Sequence, residues 1–184
     1  MNRPSFLKTF LKDLFVASVT PTSNHAVRKI CDQLSFERSG MVVVEYGAGN
    51  GAVSQELLRR LPADGKLFLV ERNAEFAEHL RKTVLDHRVT VFTESAEKID
   101  ELLASQGVSK IDAVISSIPF TFFTPAIAQS IIFKTRQLLK PDGVFVVFQF
   151  TPRAKHFLKQ HFSKIETKII LLNIPPLLVW RAGA

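Results

Sequence analysis

The sequence predicts an α/β fold with a doubly wound, Rossmann-like sheet: five parallel strands, a C-terminal antiparallel pair and helices at the N-terminus. Two observations carry this. Five short apolar runs alternate with segments of helical spacing between residues 41 and 150, and strands covered by helices on both faces read as continuous apolar stretches. The last two apolar runs, 165–172 and 177–181, are joined only by Asn173-Ile174-Pro175-Pro176, too short for a crossover helix, so they must pair antiparallel.

The elements follow in order. Phe6, Leu7, Phe10, Leu11, Leu14 and Phe15 fall on one helical face, with Lys8 and Lys12 beside it. This stripe sets residues 1–20 apart as an amphipathic helix, serving as a membrane anchor or as a lid, from a single domain over 21–184. Pro21 ends it, and Ser23 or Asn24 caps a second helix reaching about Phe36. Residues 41–46 are a buried strand, Gly47 to Gly51 a glycine-rich turn and 52–61 a helix closed by Pro62 and Asp64-Gly65. Strand 66–70, helix 74–85, strand 89–92, helix 96–104 and strand 111–115 come next. Helix 125–139 then leads through Pro141-Asp142-Gly143 into strand 144–150, followed by a helix at 152–161.

Composition narrows the function. The chain has 184 residues, of which 46% are hydrophobic and 22% charged, enough apolar material for one packed core. A lone cysteine, Cys31, excludes a disulfide framework and a cysteine-based zinc site and fits a reducing compartment. His79, His87, His156 and His161 lack metal-ligand spacing and read as solvated, so no metal is expected. No run reaches the roughly 18 apolar residues of a membrane span. The net charge of +7 is uneven: residues 1–40 carry +3, residues 41–133 carry −3 and residues 134–184 carry +7. A basic patch built from the two ends would attract phosphate, on lipid or on nucleic acid.

The chemistry gathers at Glu45-Tyr46-Gly47-Ala48-Gly49-Asn50-Gly51, which follows a strand and opens a helix. Glycines there let a ligand approach the backbone, and the helix N–H groups face it. Glu71 lies 20 residues on, at the end of the second strand, where an acid accepts both hydroxyls of a ribose. Gly47, Gly49 and Ala52 also satisfy the dinucleotide pattern G-x-G-x-x-G/A. Glu45 separates the two ligands. A carboxylate beside a pyrophosphate is repelled, whereas the sulfonium and ammonium of S-adenosyl-L-methionine suit it. His25 reads as a surface or capping histidine and Asp112 as structural.

With these residues in place, Val44 to Gly51 resembles the first motif of class I S-adenosylmethionine-dependent methyltransferases, and Glu71 matches their ribose-binding acid. Glu94-Ser95-Ala96 stands where the family often has Gly-Asp-Ala beside the adenine. Ser116-Ser117-Ile118-Pro119-Phe120 falls at the fourth motif, which borders the methyl acceptor. The chain is most similar to short bacterial phospholipid N-methyltransferases, which are related to ribosomal RNA adenine dimethylases. The likeness rests on Phe-Leu-Lys-x-Phe-Leu-Lys at 6–12, Pro-Thr-Ser at 21–23, Ser-x-x-Pro at 116–119, Phe-Gln-Phe-Thr at 148–151 and Asn-x-Pro-Pro at 173–176. Where the family often has an aromatic hydroxyl after the fifth strand, this chain has Phe150 and Pro152.

The resemblance implies cofactor contacts from Ser23, Glu45, Gly47, Gly49, Gly51, Glu71, Arg72, Glu94, Ser95 and Ser116. It implies acceptor contacts from Ser117, Pro119 and Phe120. Ser117 and the carbonyls of its turn would accept the amine hydrogens, and the Phe120 face would attract a methylated ammonium. The expected activity is N-methylation of a phospholipid amine of the phosphatidylethanolamine type by a cytoplasmic protein held peripherally at the inner face of an anionic membrane. The six-residue stripe and its lysines supply enough burial and charge for reversible attachment. RNA base methylation is the alternative, weakened because Ser117 stands in place of the amide that would pair with a base edge. A silent cofactor-binding module is a third reading.

Overall fold

A computed structural model describes residues 22–184; the N-terminal stripe and Pro21 lie outside them. The elements are α1 (Asn24–Cys31), β1 (Val42–Tyr46), α2 (Ala52–Arg60), β2 (Lys66–Val70), α3 (Ala74–Thr83), β3 (Val89–Phe92), α4 (Ile99–Ser105), β4 (Ile111–Ser116), α5 (Pro125–Leu138), β5 (Leu139–Gln149), α6 (Arg153–Leu158), β6 (Lys164–Ile170) and β7 (Leu177–Gly183). Short 3₁₀ turns at Ala96–Lys98 and Phe120–Phe122 lead into α4 and toward α5. The seven described strands form one sheet in the order β3-β2-β1-β4-β5-β7-β6. The first five are parallel, and β7 runs antiparallel to both β5 and β6. The predicted class and the C-terminal pair are therefore present.

Alternation along the strands divides the core into two layers. Val43, Leu67, Leu69, Ala113, Ile115 and Val146 face α1, α2 and α3 through Ile30, Leu57 and Leu80. Val44, Tyr46, Val114, Phe145 and Val147 face α4, α5 and α6 through Leu103, Ile131 and Phe157. Caps fix where helices begin. Ser23 accepts from the Ala26 N–H, Asn73 from the Glu75 and Phe76 N–H groups, and Thr124 from the Ile127 N–H, with Pro125 at the first helical position.

Several boundaries differ from those the spacing predicts. The first described helix stops at Cys31, because Gln33 and Leu34 bond three residues back in tighter turns that carry Leu34 into the core. The helix expected at 152–161 ends at Leu158, and similar turns through His161 bring Phe162 inside. Strand β5 begins at Leu139 rather than Val144. Pro141-Asp142-Gly143 forms an irregularity within the strand, its register shifting between Ile111↔Leu139 and Ala113↔Val144. Asp112 has the structural role expected of it. Its carboxylate accepts from Arg38, Lys140 and the Val42 N–H, joining β1, β4 and β5 at their lower ends.

Candidate active site

Parallel strands deliver their C-terminal ends to one edge of the sheet, where the topology turns between β1 and β4 and ligands of such folds bind. Tyr46 ends β1 there, and the chain breaks into the glycine turn. Gly47 has φ of 75°, and a Cβ on it would lie 2.8 Å from the Ser117 Oγ. The bare backbone thus lets the turn pack against the loop after β4. Ser117 donates its hydroxyl proton to the Gly47 carbonyl at 2.7 Å, and its N–H to the Tyr46 carbonyl at 3.0 Å.

Two acids flank the turn with opposite partnerships. Glu71, 8% exposed, accepts from the Gly49 N–H at 3.0 Å and the Asn73 N–H at 2.8 Å. Its carboxylate is thereby held at the edge of the glycine turn. Glu45, 3% exposed, accepts a 2.6 Å bond from the Ser54 hydroxyl, in the first turn of α2. Burial pushes its carboxyl up to about 8, the Ser54 bond opposes this and the nearby Glu71 charge adds to it. A buried acid whose ordinary partner is a hydroxyl suits a cationic ligand. Ser54 is a site residue that the sequence reading missed; the signal for it is a serine one turn into the helix that opens on the glycines. Cys31 lies in the same layer, and burial pushes its thiol up to about 12, so it is no nucleophile at neutral pH.

The remaining predicted cofactor contacts are distributed unevenly. Gly51, with φ of 82°, is the N-terminal cap of α2, and a Cβ there would meet Leu80 at 2.9 Å. Its lack of a side chain serves the packing of α2 on α3. Arg72 is exposed beside Glu71. Ser95 caps the 3₁₀ turn before α4, and Glu94 accepts from the Ser95 N–H at 3.0 Å and from Lys98 at 2.5 Å. Ser116 ends β4 fully buried, its hydroxyl without a partner. Ser23 sits at the other side of the sheet edge. Its N–H donates to the Asn173 Oδ1 at 3.0 Å and its hydroxyl to the Leu172 carbonyl at 2.8 Å. Ser23 of the Pro-Thr-Ser motif and Asn173 of the Asn-x-Pro-Pro motif, 150 positions apart, therefore meet.

The acceptor side needs correction. Phe120 is fully buried and packs edge-on against Phe123, with centroids 5.9 Å apart. Its face is occupied by protein, so the expected wall for a methylated ammonium does not form from it. Phe150, 38% exposed where β5 ends, and the half-buried Phe122 and Phe123 are the aromatics that reach the surface there. The backbone of the turn is also committed. Gln149 donates its amide to the Ile118 carbonyl, and the Phe122 N–H donates to the Pro119 carbonyl. Thr121 and Thr151 share a 2.7 Å bond that ties the loop to the end of β5. The Gln149 Oε1 is buried without a partner beside this loop. Tyr46 buries its hydroxyl against Thr135 at 3.0 Å and does not replace the missing aromatic hydroxyl. His161 departs from the solvated reading too. It lies against Phe133, and burial lowers its pKa. Among the described residues no cluster of metal-ligating side chains occurs and no helix is long and apolar enough to cross a membrane.

Comparison with known proteins gives this geometry a family. Residues 43–143 match the model described as "Methyltransferase domain". The chain is 26% identical over 174 residues to the ornithine lipid N-methyltransferase of Singulisphaera acidiphila, covering 93% of this chain and 90% of that protein. It is 32% identical over 88 residues to ribosomal RNA small subunit methyltransferase H of Dictyoglomus turgidum, covering 46% of this chain but only 29% of the relative. A 16S rRNA methyltransferase of T. thermophilus, solved in complex with AdoMet and guanosine, superposes with a TM-score of 0.63 at 20% identity, covering 87% of this chain and 42% of that one. The matched span takes in the glycine turn, both acids and the loop after β4, and the chain belongs to the class I S-adenosylmethionine-dependent methyltransferases.

Proposed function

We propose that this methyltransferase N-methylates the amine of a lipid headgroup, of the phosphatidylethanolamine or another amine-lipid type, while held peripherally at an anionic membrane face. The observation that carries the reading is the similarity to a lipid N-methyltransferase along nearly the whole of both chains. The ribosomal relative matches less than half of this chain and under a third of its own length, so it speaks less to the acceptor.

The residues divide the work. Glu71 accepts the ribose hydroxyls from a carboxylate already oriented by the Gly49 and Asn73 N–H groups. Gly47 and Gly49 let the ligand lie against the backbone. Glu45 gives up its proton and faces the positive charge. Arg72, Glu94 and Ser95 border the adenosine end, and Ser23 the methionine end. When bound, S-adenosylmethionine supplies a methyl group on a sulfonium, a leaving group that needs no acid. Transfer would form an N–C bond to the acceptor as the methyl C–S bond breaks, leaving a thioether, and the amine's surplus proton would leave to water. The chain's own task is position and desolvation. The loop 116–120, pinned by Ser117, Gln149 and Thr121, holds the acceptor in line, and the remaining lone pair of the Ser117 hydroxyl receives an amine N–H.

The test is to incubate the protein with methyl-labelled cofactor and either amine-lipid vesicles or total RNA. Label should enter the lipid. Label confined to RNA overturns the lipid reading, and no label in any fraction makes the chain a binding module.

A further inference from the structure

We infer that the tip of the β6–β7 hairpin, residues 171–174, is a second membrane contact, inserting Leu171, Leu172 and Ile174 into the interface of an anionic bilayer. The inference goes beyond the proposed reaction, since it requires neither cofactor nor acceptor. The side chains of three apolar residues stand in water: Leu171 is 73% exposed, Leu172 68% and Ile174 85%. Ile169, just below, is 60% exposed. Scattered exposed leucines need no explanation, but four large aliphatic residues within six positions form a continuous apolar tip.

Its place in the sheet matters more than its composition. Strand β7 runs antiparallel to β5, so the hairpin turns at the edge where β1, β2, β4 and β5 end. The tip therefore stands on the same face as the glycine turn, Glu71 and the loop after β4. Gln149 pairs with Leu178, which places the half-exposed Phe150 close to the base of the tip. An amine that reaches the loop 116–120 from a bilayer brings that bilayer against this face.

Charge selects the occupant. Residues 134–184 carry a net +7. Lys168, two positions below the end of β6, is exposed with no ion pair among the described residues, and it shares a cleft of about 410 Å³ with His25, Lys29 and the two leucines. The acids in this area are already matched. Asp32 bonds Arg60 at 2.8 Å and lies 3.8 Å from Lys29, and Glu166 lies 3.7 Å from Arg181. An apolar tip with the unpaired Lys168 behind it complements acyl chains beneath anionic headgroups. Hydrogen bonds also brace the tip. Asn173, 3% exposed, holds it from within through the Ser23 N–H and the Pro175 carbonyl. The first of those bonds also ties Ser23, at the start of the described residues, to the base of the tip.

The experiment uses the full chain and vesicles of phosphatidylglycerol and phosphatidylcholine with brominated acyl chains, which contain no amine acceptor. The parent's one tryptophan, Trp180, is 1% exposed and should be quenched little. In the Ile174→Trp variant the introduced indole should be quenched severalfold more than Trp180. In a second variant, Leu171→Asp with Leu172→Asp, partitioning should fall by about tenfold or more while the melting temperature without vesicles stays that of the parent. No added quenching while the protein sediments with vesicles would overturn the inference, since another segment then carries the binding. A lowered melting temperature or a changed oligomeric state of the double variant without vesicles would overturn it too, by showing the tip covered by residues 1–20 or by a second copy. Quenching without methylation of any lipid sinks the proposed reaction alone; methylation of dispersed lipid without quenching sinks the hairpin contact alone.

Discussion

Glu45 and Glu71 are two acids at one turn that the fold treats differently, and each difference is measurable. Glu71 keeps two backbone N–H partners and presents its carboxylate at the turn's edge. Glu71→Ala should weaken cofactor binding by about 1.5–3 kcal/mol, the scale of charge-assisted hydrogen bonds; unchanged affinity by calorimetry would remove it from the ribose site. Glu45 is raised to about 8 by burial, so in the free protein it is mostly protonated at pH 7. A sulfonium and an ammonium favour its ionised form, so binding should release a proton below pH 8. Affinity should therefore climb from pH 6 to pH 8, by up to about tenfold per unit, and flatten above. Glu45→Gln should abolish the slope, and equal slopes in parent and variant would assign the titration elsewhere. Stability runs the other way. The folded value lies above the unfolded one, so Glu45's contribution is full below the unfolded value near 4.5 and is lost as pH rises through about 8.

Among the elements, α1 and the β6–β7 hairpin share an apolar cluster through Ala26, Ile30, Ile170 and Val179, and polar bonds at Ser23 and Asn173 close its edge. Asn173 is buried, and truncating it orphans the Ser23 N–H and the Pro175 carbonyl together. Asn173→Ala should cost about 1–3 kcal/mol of stability in urea unfolding. Ser23→Ala removes a helix cap and the bond to Leu172, for about 0.5–2 kcal/mol. The two sites support one junction, so the double variant should depart from additivity. Strict additivity would mean that the contacts act independently.

For the whole molecule, the basic charge and the stripe of residues 6–15 bear on attachment. Deleting residues 1–19 should reduce sedimentation with anionic liposomes severalfold and leave cofactor affinity largely intact. Salt should weaken the remaining electrostatic part, because screening acts within a Debye length of about 10 Å at 0.1 M. A lid role predicts the reverse: lower melting temperature and weaker cofactor binding, with liposome binding unchanged.

The class, the seven described strands and the two acids beside the glycine turn were legible in the amino-acid sequence. These are local facts. Alternation of apolar runs and helical spacing sets the layers, the linker Asn173–Pro176 is too short for a parallel return, and Glu45, the glycines and Glu71 are fixed by their positions at strand ends. The features that were not legible depend on partners distant in the chain. Phe120 reads as an exposed pocket wall until Phe123 and the α5 layer close over it. Gly51 reads only as a ligand contact, and the structure adds a packing demand, with Leu80 2.9 Å from where its Cβ would be. Ser23 reads as a cap, which it is, and it is also a tie to the hairpin because Asn173 reaches it across 150 positions. Spacing along the chain records which way a side chain points within its own element. It does not record which surface arrives opposite, and that arrival separates a buried aromatic from a binding face.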